Sequence, residues 1–230
     1  MRIFVNFKEA FNEIRRDLAE MGIDVHTKTM QDKDISKDPR YATKELQFYT
    51  YRVLNPKLSD IDTPTPDWAK AEWEERKSGI EGKPINPGEA YKLRSQVWNE
   101  FLHDGKFAYS YSEQFAQDNQ VQNVIEAIKR DPMTRQANIA MWDTEDSKWL
   151  GSAQKRVPCS LNWIFQYRDN KLNMEYNMRS CDFATHFKND VYEAVCLLNY
   201  VAEKTGLEPG NFIHHIASLH IYQKDVADVF

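Results

Sequence analysis

Two aromatic-rich runs in the second half of the chain constrain the fold most strongly. The first, SLNWIFQY, covers residues 160–167, and the second, NKLNMEYNMRS, covers residues 170–180. Both alternate in part between apolar and polar side chains, which is typical of strands with one buried face. The dipeptide Asp169-Asn170 between them is a hairpin turn signal. The sequence therefore predicts an antiparallel hairpin, and the runs QANIAMWD and NFIHHIASLHIY predict further strands.

Helical periodicity dominates the first half of the chain. One apolar stripe recurs at steps of four and three up to a stop at Gly22 and predicts a first helix; its members are Phe7, Phe11, Ile14, Leu18 and Met21. The run KELQFYTYRVL (residues 44–54) has Leu46, Tyr49 and Val53 at helical spacing and predicts a second helix. Residues 67–77 predict an exposed helix. Residues 26–40, 55–68 and 79–88 predict loops or connections.

Two more helices and their order complete the fold prediction. One helix ends before the segment DPMTR, and a buried helix runs through Val191, Val195 and Leu198 until Thr205-Gly206 ends it. Helices early and strands late favour an α+β fold, in which helices pack on a mostly antiparallel or mixed, mostly meandering sheet. No repeat and no Gly/Ser/Pro-rich linker divides the chain, so one domain over residues 1–230 is expected.

Composition excludes several classes of protein. With 41% hydrophobic residues among 230, the chain is expected to bury a core. No apolar run is long enough to cross a bilayer and no basic leader precedes an apolar stretch, so we expect no membrane association and a cytoplasmic location. A net charge of −5 argues against binding a nucleic-acid polymer. Three cysteines without metal-like spacing predict neither a disulfide framework nor a metal site.

The segment from Arg156 to Asp190 carries the candidate chemistry. It holds Pro158-Cys159 at the start of a strand and Arg179-Ser180-x-Asp182 after the next one. Guanidinium charge near a cysteine favours the thiolate, which is the nucleophilic form. A lone cysteine is also often a small buried apolar residue, and spacing alone leaves both readings open.

These motifs resemble those of thymidylate synthases and their pyrimidine-hydroxymethylase relatives. The similarity extends over about residues 43–223 and keeps the family order. The matching segments are Glu45-Leu46, Tyr111-Ser112-Glu113-Gln114, Asp131-Pro132-x-x-Arg135, Pro158-Cys159, Arg179-Ser180-x-Asp182, Thr205-Gly206-Leu207 with Gly210-Asn211-Phe212, and Ser218-Leu219-His220-Ile221-Tyr222. The resemblance implies that fold, a homodimer formed through a sheet face, a pyrimidine nucleoside monophosphate as substrate and 5,10-methylenetetrahydrofolate as co-substrate.

The resemblance also implies roles for individual residues. Cys159 would add to C6 of the pyrimidine and so make C5 nucleophilic. The expected phosphate ligands are Arg179, Ser180 and, from the partner subunit, Arg135. His220 and Tyr222 would bind the sugar 3′-hydroxyl, Glu45 would handle protons on an early helix, Asp182 would contact the folate pterin, and Tyr111 would support the nucleophile.

The residue at position 190 points to the base. Eleven residues after Arg179, where thymidylate synthases have asparagine, this chain has Asp190. A carboxyl group that shares a proton with N3 pairs with the N4 amino group of cytosine, whereas O4 of uracil would face a second acceptor. The sequence thus resembles the deoxycytidylate hydroxymethylases of bacteriophages. Alternatively, Asp190 or Asn189 caps a helix that begins at Val191.

The product is the second question. The chain ends eight residues after Tyr222, which leaves little sequence for a C-terminal cap over the folate. We therefore expect water to reach the methylene intermediate and 5-hydroxymethyl-dCMP to form. The alternatives are methylation of dCMP or dUMP, hydroxymethylation of CMP, and an inactive nucleotide- or RNA-binding relative.

Some positions depart from the family pattern. Gln136 replaces the second of two paired arginines, so one phosphate ligand is missing. Ser160 follows the cysteine where synthases usually have histidine, and His186 stands where the family has glycine. These departures bear on affinity and on sugar preference more than on the nucleophile.

Overall fold

A mixed sheet with helices packed on it forms the framework of the chain. The computed structural model describes residues 1–30, 33–150 and 155–230. The strands are β1 (Arg2–Phe4), β2 (Ile23–Val25), β3 (Thr29–Met30), β4 (Lys33–Asp34), β5 (Thr43–Val53), β6 (Asn138–Ala140), β7 (Ser160–Arg168), β8 (Lys171–Met178), β9 (Cys181–Asp182) and β10 (Pro209–Tyr222). The helices are α1 (Phe7–Met21), α2 (Pro66–Ile80), α3 (Glu89–Leu93), α4 (Ser95–Trp98), α5 (Tyr111–Ala116), α6 (Gln120–Arg130), α7 (Phe187–Thr205) and α8 (Val226–Val229).

The sheet is mixed, as expected, but it is not a meander. Its main path within the described residues is β1-β5-β10-β8-β7-β6, and β2 and β9 pair at its side. The chain's last strand, β10, lies between β5 and β8, antiparallel to the first and parallel to the second. The predicted meander is therefore wrong beyond the β7–β8 hairpin. Insertion of β10 brings residues from both halves of the chain to one place.

The predicted helix over residues 44–54 is wrong, because this segment is the long strand β5. Phe48 has a left-handed φ of +49°, which kinks the strand. The pairing of β5 with β10 passes from Tyr49 directly to Gln47, so Phe48 has no partner in the register. The kink changes which side chains point inward. Buried or half-buried apolar residues therefore fall at positions 46, 49, 51 and 53, and the first two have the three-residue spacing that imitates a helix.

Helix α2 lies where an exposed helix over residues 67–77 was predicted, but it is longer and more buried than that prediction. It extends to Ile80, so Gly79 belongs to the helix and not to the following loop. Trp68, Ala69 and Arg76 are buried. Gly79 is required for packing, because a Cβ there would lie 2.0 Å from the carbonyl oxygen of Ser112 on α5. Helix α2 thus lies directly against the segment that carries Tyr111.

The remaining predicted elements are largely confirmed. Helices α1, α6 and α7 are present, with α7 ended by Gly206 in the left-handed conformation. Asp169 and Asn170 both have positive φ in the β7–β8 hairpin, as a type I′ turn requires. The strand predicted over QANIAMWD shrinks to β6. The predicted loop over residues 26–40 contains the small β3–β4 pair, and its residues 31 and 32 lie outside the described residues.

Candidate active site

One cavity of about 280 Å³ collects most of the candidate residues. Its wall is built from β9, β10, the start of α7, the loop before β7 and, from the first half of the chain, α2 and α5. The predicted site residues that line it are Cys159, Tyr111, Ser180, Asp182, Asp190, His220 and Tyr222. The thiol and the candidate base-reading carboxyl group therefore share one cavity.

Cys159 is half-buried and precedes the first residue of β7. A guanidinium nitrogen of Arg179, Nη2, lies 3.6 Å from its sulfur. Arg179 is fixed in this position because Nε donates to the carbonyl oxygen of Pro158 at 2.8 Å and Nη2 donates to that of Val157 at 3.0 Å. A fixed positive charge beside a thiol stabilises the thiolate. Arg179 thus lies next to the Cys159 thiol although it is not part of the cavity wall.

Asp190 lies in the first turn of α7, which begins at Phe187 and not at Val191. The capping alternative is therefore wrong, since His186 occupies the N-cap position. Cys181 donates its thiol proton to Oδ2 of Asp190 at 3.5 Å. Burial raises the pKa of Asp190 to about 6, and the charge of Arg76 limits this rise. The carboxyl group thus changes its protonation near neutral pH inside the cavity.

The other end of the predicted site comes from β9 and β10. Asp182 accepts hydrogen bonds from the backbone N–H groups of Ala184 at 3.0 Å and Thr185 at 3.4 Å, which hold its carboxylate in a tight turn. Burial lowers the pKa of His220, so its ring is neutral and can both donate and accept. The ring of Tyr222 packs edge-on against His220 at 5.1 Å.

Tyr111 is the first residue of helix α5 and lies at the cavity wall, beside Ser160, which follows Cys159 in sequence. Its hydroxyl lies 3.1 Å from Oγ of Ser160. The guanidinium carbon of Arg76 lies 4.3 Å from the centroid of its ring. Burial raises the pKa of Tyr111 well above its usual value, so the phenol keeps its proton.

Three predicted residues are not among those that line the cavity in the described part of the chain: Arg179, which lies beside Cys159, and Glu45 and Arg135. Glu45 lies on β5 and not on a helix, opposite His220 in the register. Its carboxylate accepts a hydrogen bond from Ser218. Arg135 is exposed in the loop before β6. It could therefore reach a nucleotide site only on another subunit.

The sequence analysis did not identify several charged residues of the cavity wall, among them Glu72, Arg76 and Arg156. Glu72 and Arg76 are one turn apart on α2 and form an ion pair at 3.0 Å. Arg76 also lies 3.6 Å from Glu193, whose side chain is buried. Arg156 is packed among aromatic rings, with its guanidinium carbon 4.7 Å from the ring centroid of Trp98. The resemblance expects a proton-handling glutamate on an early helix and assigned it to Glu45. Glu72 lies on such a helix, and this position was the sequence signal that could have identified it.

Within residues 1–30, 33–150 and 155–230, no group of three or more histidine, cysteine or acidic side chains is placed to hold a metal ion. No helix in the described ranges has the length and apolar character to cross a membrane.

The geometry defines a class of site in which a thiol held beside an arginine shares a cavity with a half-buried carboxyl group. The family model described as thymidylate synthase matches residues 72–230. The chain therefore belongs to the thymidylate synthase family. The first residue of the match is Glu72, so the family model covers α2 from Glu72 onward and leaves out the residues of the helix before it.

Individual relatives agree with this assignment. A putative thymidylate synthase of Methanosarcina mazei is 34% identical over 123 residues, which cover 52% of this chain and 55% of the relative. The thymidylate synthase of Clostridium beijerinckii is 31% identical over 139 residues, or 59% of this chain and 51% of the relative. The matched segments thus span about half the length of these two relatives. A putative thymidylate synthase of Methanocaldococcus jannaschii is 26% identical over 93% of this chain and 86% of its own length.

A solved structure shows the fold. The thermostable thymidylate synthase A of Bacillus subtilis superposes with a TM-score of 0.71 over 97% of this chain and 82% of that chain, at 21% sequence identity. The α+β prediction with a mixed sheet packed by helices is confirmed.

Proposed function

We propose that this protein transfers a one-carbon unit to C5 of a pyrimidine nucleoside monophosphate, and that its substrate is dCMP and its product 5-hydroxymethyl-dCMP. The observation that carries the proposal is the shared cavity of Cys159 and Asp190. The family membership supports the general reaction. The acidic residue supports the choice of cytosine.

The nucleophilic step needs a thiolate, and Arg179 at 3.6 Å from the sulfur favours one. The sulfur would bond to C6 of the ring while the electron pair of the C5–C6 double bond moves to make C5 nucleophilic. Covalent catalysis of this kind divides one difficult step into easier ones. Thymidylate synthases use 5,10-methylenetetrahydrofolate as the co-substrate, which would supply the one-carbon unit here. Asp182 is the proposed contact for its pterin.

Base recognition rests on Asp190. With a proton shared between its carboxyl group and N3 of cytosine, one oxygen can accept from the N4 amino group and a second hydrogen bond joins N3. The pKa of about 6, raised by burial, keeps such a proton available near neutral pH. Uracil would place its O4 acceptor against a carboxyl oxygen and lose one of these bonds.

The remaining proposed roles follow the geometry of the wall. Ser180 and Arg179 bind the phosphate, and the neutral His220 and Tyr222 bind the sugar 3′-hydroxyl. For proton transfer at position 4 of the ring, Glu72 fits better than Glu45, since Glu72 lies on a helix, lines the cavity and is held by Arg76. Glu45 could take part in proton transfer only indirectly, because its carboxylate is hydrogen-bonded to Ser218, whose hydroxyl lies next to the His220 ring.

We further propose a homodimer in which Arg135 reaches the phosphate of the partner's substrate. Arg135 is exposed, and Gln136 beside it supplies no second charge. A guanidinium and a phosphate form paired, charge-assisted hydrogen bonds, so even one such arginine contributes strongly to nucleotide binding.

A second candidate function is methylation, in which hydride and not water completes the reaction. The specific observation in its favour is that the relative from Clostridium beijerinckii is described as a thymidylate synthase. The polar wall residues Asp182, His186 and Arg156 favour water in the cavity and thus the hydroxymethyl product. Burial lowers the pKa of His186 to about 4, so this side chain is neutral and can hold a water molecule.

The test is incubation of the protein with 5,10-methylenetetrahydrofolate and dCMP, dUMP or CMP, followed by mass analysis of the nucleotide. We expect 5-hydroxymethyl-dCMP to form fastest. A 5-methyl product together with dihydrofolate would replace hydroxymethylation by methylation. No product from any nucleotide, with retained binding, would indicate a nucleotide-binding relative without turnover.

A further inference from the structure

A chain of three hydroxyl groups leads from the cavity wall into the core. Oγ of Ser160 lies 3.1 Å from the hydroxyl of Tyr111 and 2.6 Å from that of Tyr176. The backbone N–H of Ser160 also donates to the Tyr111 hydroxyl, at 3.4 Å. Tyr111 lines the cavity, whereas Ser160 and Tyr176 are each 1% exposed. Tyr111 and Cys159 line the same cavity, so the chain of hydroxyls ends in the cavity that holds the thiol.

The buried end of this chain decides the direction of its hydrogen bonds. The ring of Tyr176 is stacked between Trp163 at 5.0 Å and His214 at 4.7 Å. Among the described residues, its hydroxyl has one hydrogen-bond partner, Ser160. A buried donor without an acceptor costs about 1–3 kcal/mol. Tyr176 therefore donates its proton to Ser160.

The direction of the Tyr176 hydrogen bond also determines the donor and acceptor roles of Ser160 and Tyr111. Ser160 accepts from Tyr176, so its own hydroxyl proton is free to go to the oxygen of Tyr111, the other neighbour within bonding distance. That oxygen then accepts from both Oγ–H and N–H of Ser160. The reverse order, in which Tyr111 donates to Ser160 and Ser160 to Tyr176, leaves the Tyr176 proton unpaired in the core. Within the described part of the chain, the Tyr111 proton thus has no acceptor, and it faces the cavity.

We propose that Tyr176 and Ser160 are positioning residues that hold the Tyr111 hydroxyl as a hydrogen-bond donor toward the ligand atom bound beside Cys159. The inference rests on the proposed function for the identity of that ligand, a pyrimidine nucleotide. A donor fixed before the reaction stabilises an atom that gains negative charge as the thiolate adds to the ring. The guanidinium of Arg76 against the Tyr111 ring strengthens the phenol as a donor.

Kinetics of Tyr176→Phe test the positioning role. This variant removes the buried hydroxyl that fixes the orientation of Ser160. The Ser160 hydroxyl can then rotate, so it no longer holds the Tyr111 oxygen in one position and the phenol proton is no longer fixed toward the cavity. We expect kcat to fall about tenfold, the effect of roughly 1.4 kcal/mol, with the KM for the nucleotide unchanged. Tyr200→Phe, a half-exposed tyrosine on α7, is the matched control and should keep the wild-type kcat.

A double variant separates positioning from simple structural damage. If Tyr176 acts through Tyr111, adding Tyr176→Phe to Tyr111→Phe lowers kcat no further. An equal loss in both backgrounds, or a wild-type rate in Tyr176→Phe, would overturn the proposal.

The direction of the donors is also measurable without turnover. In nuclear magnetic resonance spectra of the ligand-free protein, we expect slowly exchanging hydroxyl protons for Tyr176 and Ser160, with a contact from the Ser160 proton to the Tyr111 ring. A slowly exchanging Tyr111 hydroxyl proton in contact with Ser160 would refute the proposal. If no nucleotide turns over, the proposed function fails, and this measurement still decides the inference.

Discussion

Replacement of Asp190 by asparagine changes the single group that we propose to face the base and leaves its size almost unchanged. In the wild-type protein, the carboxyl group at the start of α7 lines the cavity with Cys159. An amide offers one donor and one acceptor at fixed positions, which suits N3–H and O4 of uracil. We expect Asp190→Asn to shift preference from dCMP toward dUMP.

The magnitude follows from the hydrogen bonds that are exchanged. Each mispaired polar group in a buried site costs about 1–3 kcal/mol, and about 1.4 kcal/mol corresponds to a tenfold change in rate. Asp190 is enclosed, so the upper part of this range applies. The ratio of kcat/KM for dCMP to that for dUMP should fall by a factor on the order of 100.

The assay measures kcat/KM for both nucleotides under the same co-substrate concentration, with Asp62→Asn as a control at an exposed aspartate. Thermal unfolding of each variant shows whether the fold is retained. The argument for base reading by Asp190 is refuted if the folded variant still prefers dCMP by the wild-type ratio.

Three further perturbations test separate parts of the structure. In wild type, kcat/KM for dCMP should decline above about pH 6, because the proton shared with N3 is lost as Asp190 ionises, and Asp190→Asn should remove this limb of the profile; a flat wild-type profile would contradict it. Mixing Arg135→Ala with Cys159→Ser subunits should restore about a quarter of wild-type activity through one intact site per hybrid dimer, whereas an inactive mixture would place Arg135 outside the partner's site. Gly79→Ala should lower the free energy of unfolding by roughly 1–3 kcal/mol through overpacking, because its Cβ would lie 2.0 Å from the Ser112 carbonyl oxygen; an unchanged melting temperature would disprove that contact.

The local parts of the fold were predictable because short-range chemistry determines them. The Asp169-Asn170 turn and the Gly206 helix end both depend on positive φ at residues that tolerate it. The position of β10 was not predictable in the same way, since its pairing with β5 and β8 joins residues far apart in the sequence. The kink at Phe48 misled the periodicity because it moves the buried face of β5 by one residue.

The candidate site likewise contains residues that local sequence motifs identified and residues that only tertiary packing brings to it. Cys159, Ser180, Asp182 and Asp190 fall within one segment that holds three strands and a helix start, so their motifs indicated a common site. Glu72 was missed because it lies on a helix rich in charges, which normally indicate a solvated face. Only the packing of α2 against the cavity turns these charges inward.

The position of Asp190 explains how one carboxyl group can serve as a reader of cytosine. A carboxylate in the first turn of a helix is stabilised by the helix dipole, and the positive charge of Arg76 acts in the same direction. Burial opposes both effects and is the largest of them, so the pKa rises to about 6. A fully ionised group would only accept, and a permanently neutral one would lose the charge that attracts the N4 amino group. The balance of these contributions holds the group where it can share a proton with N3.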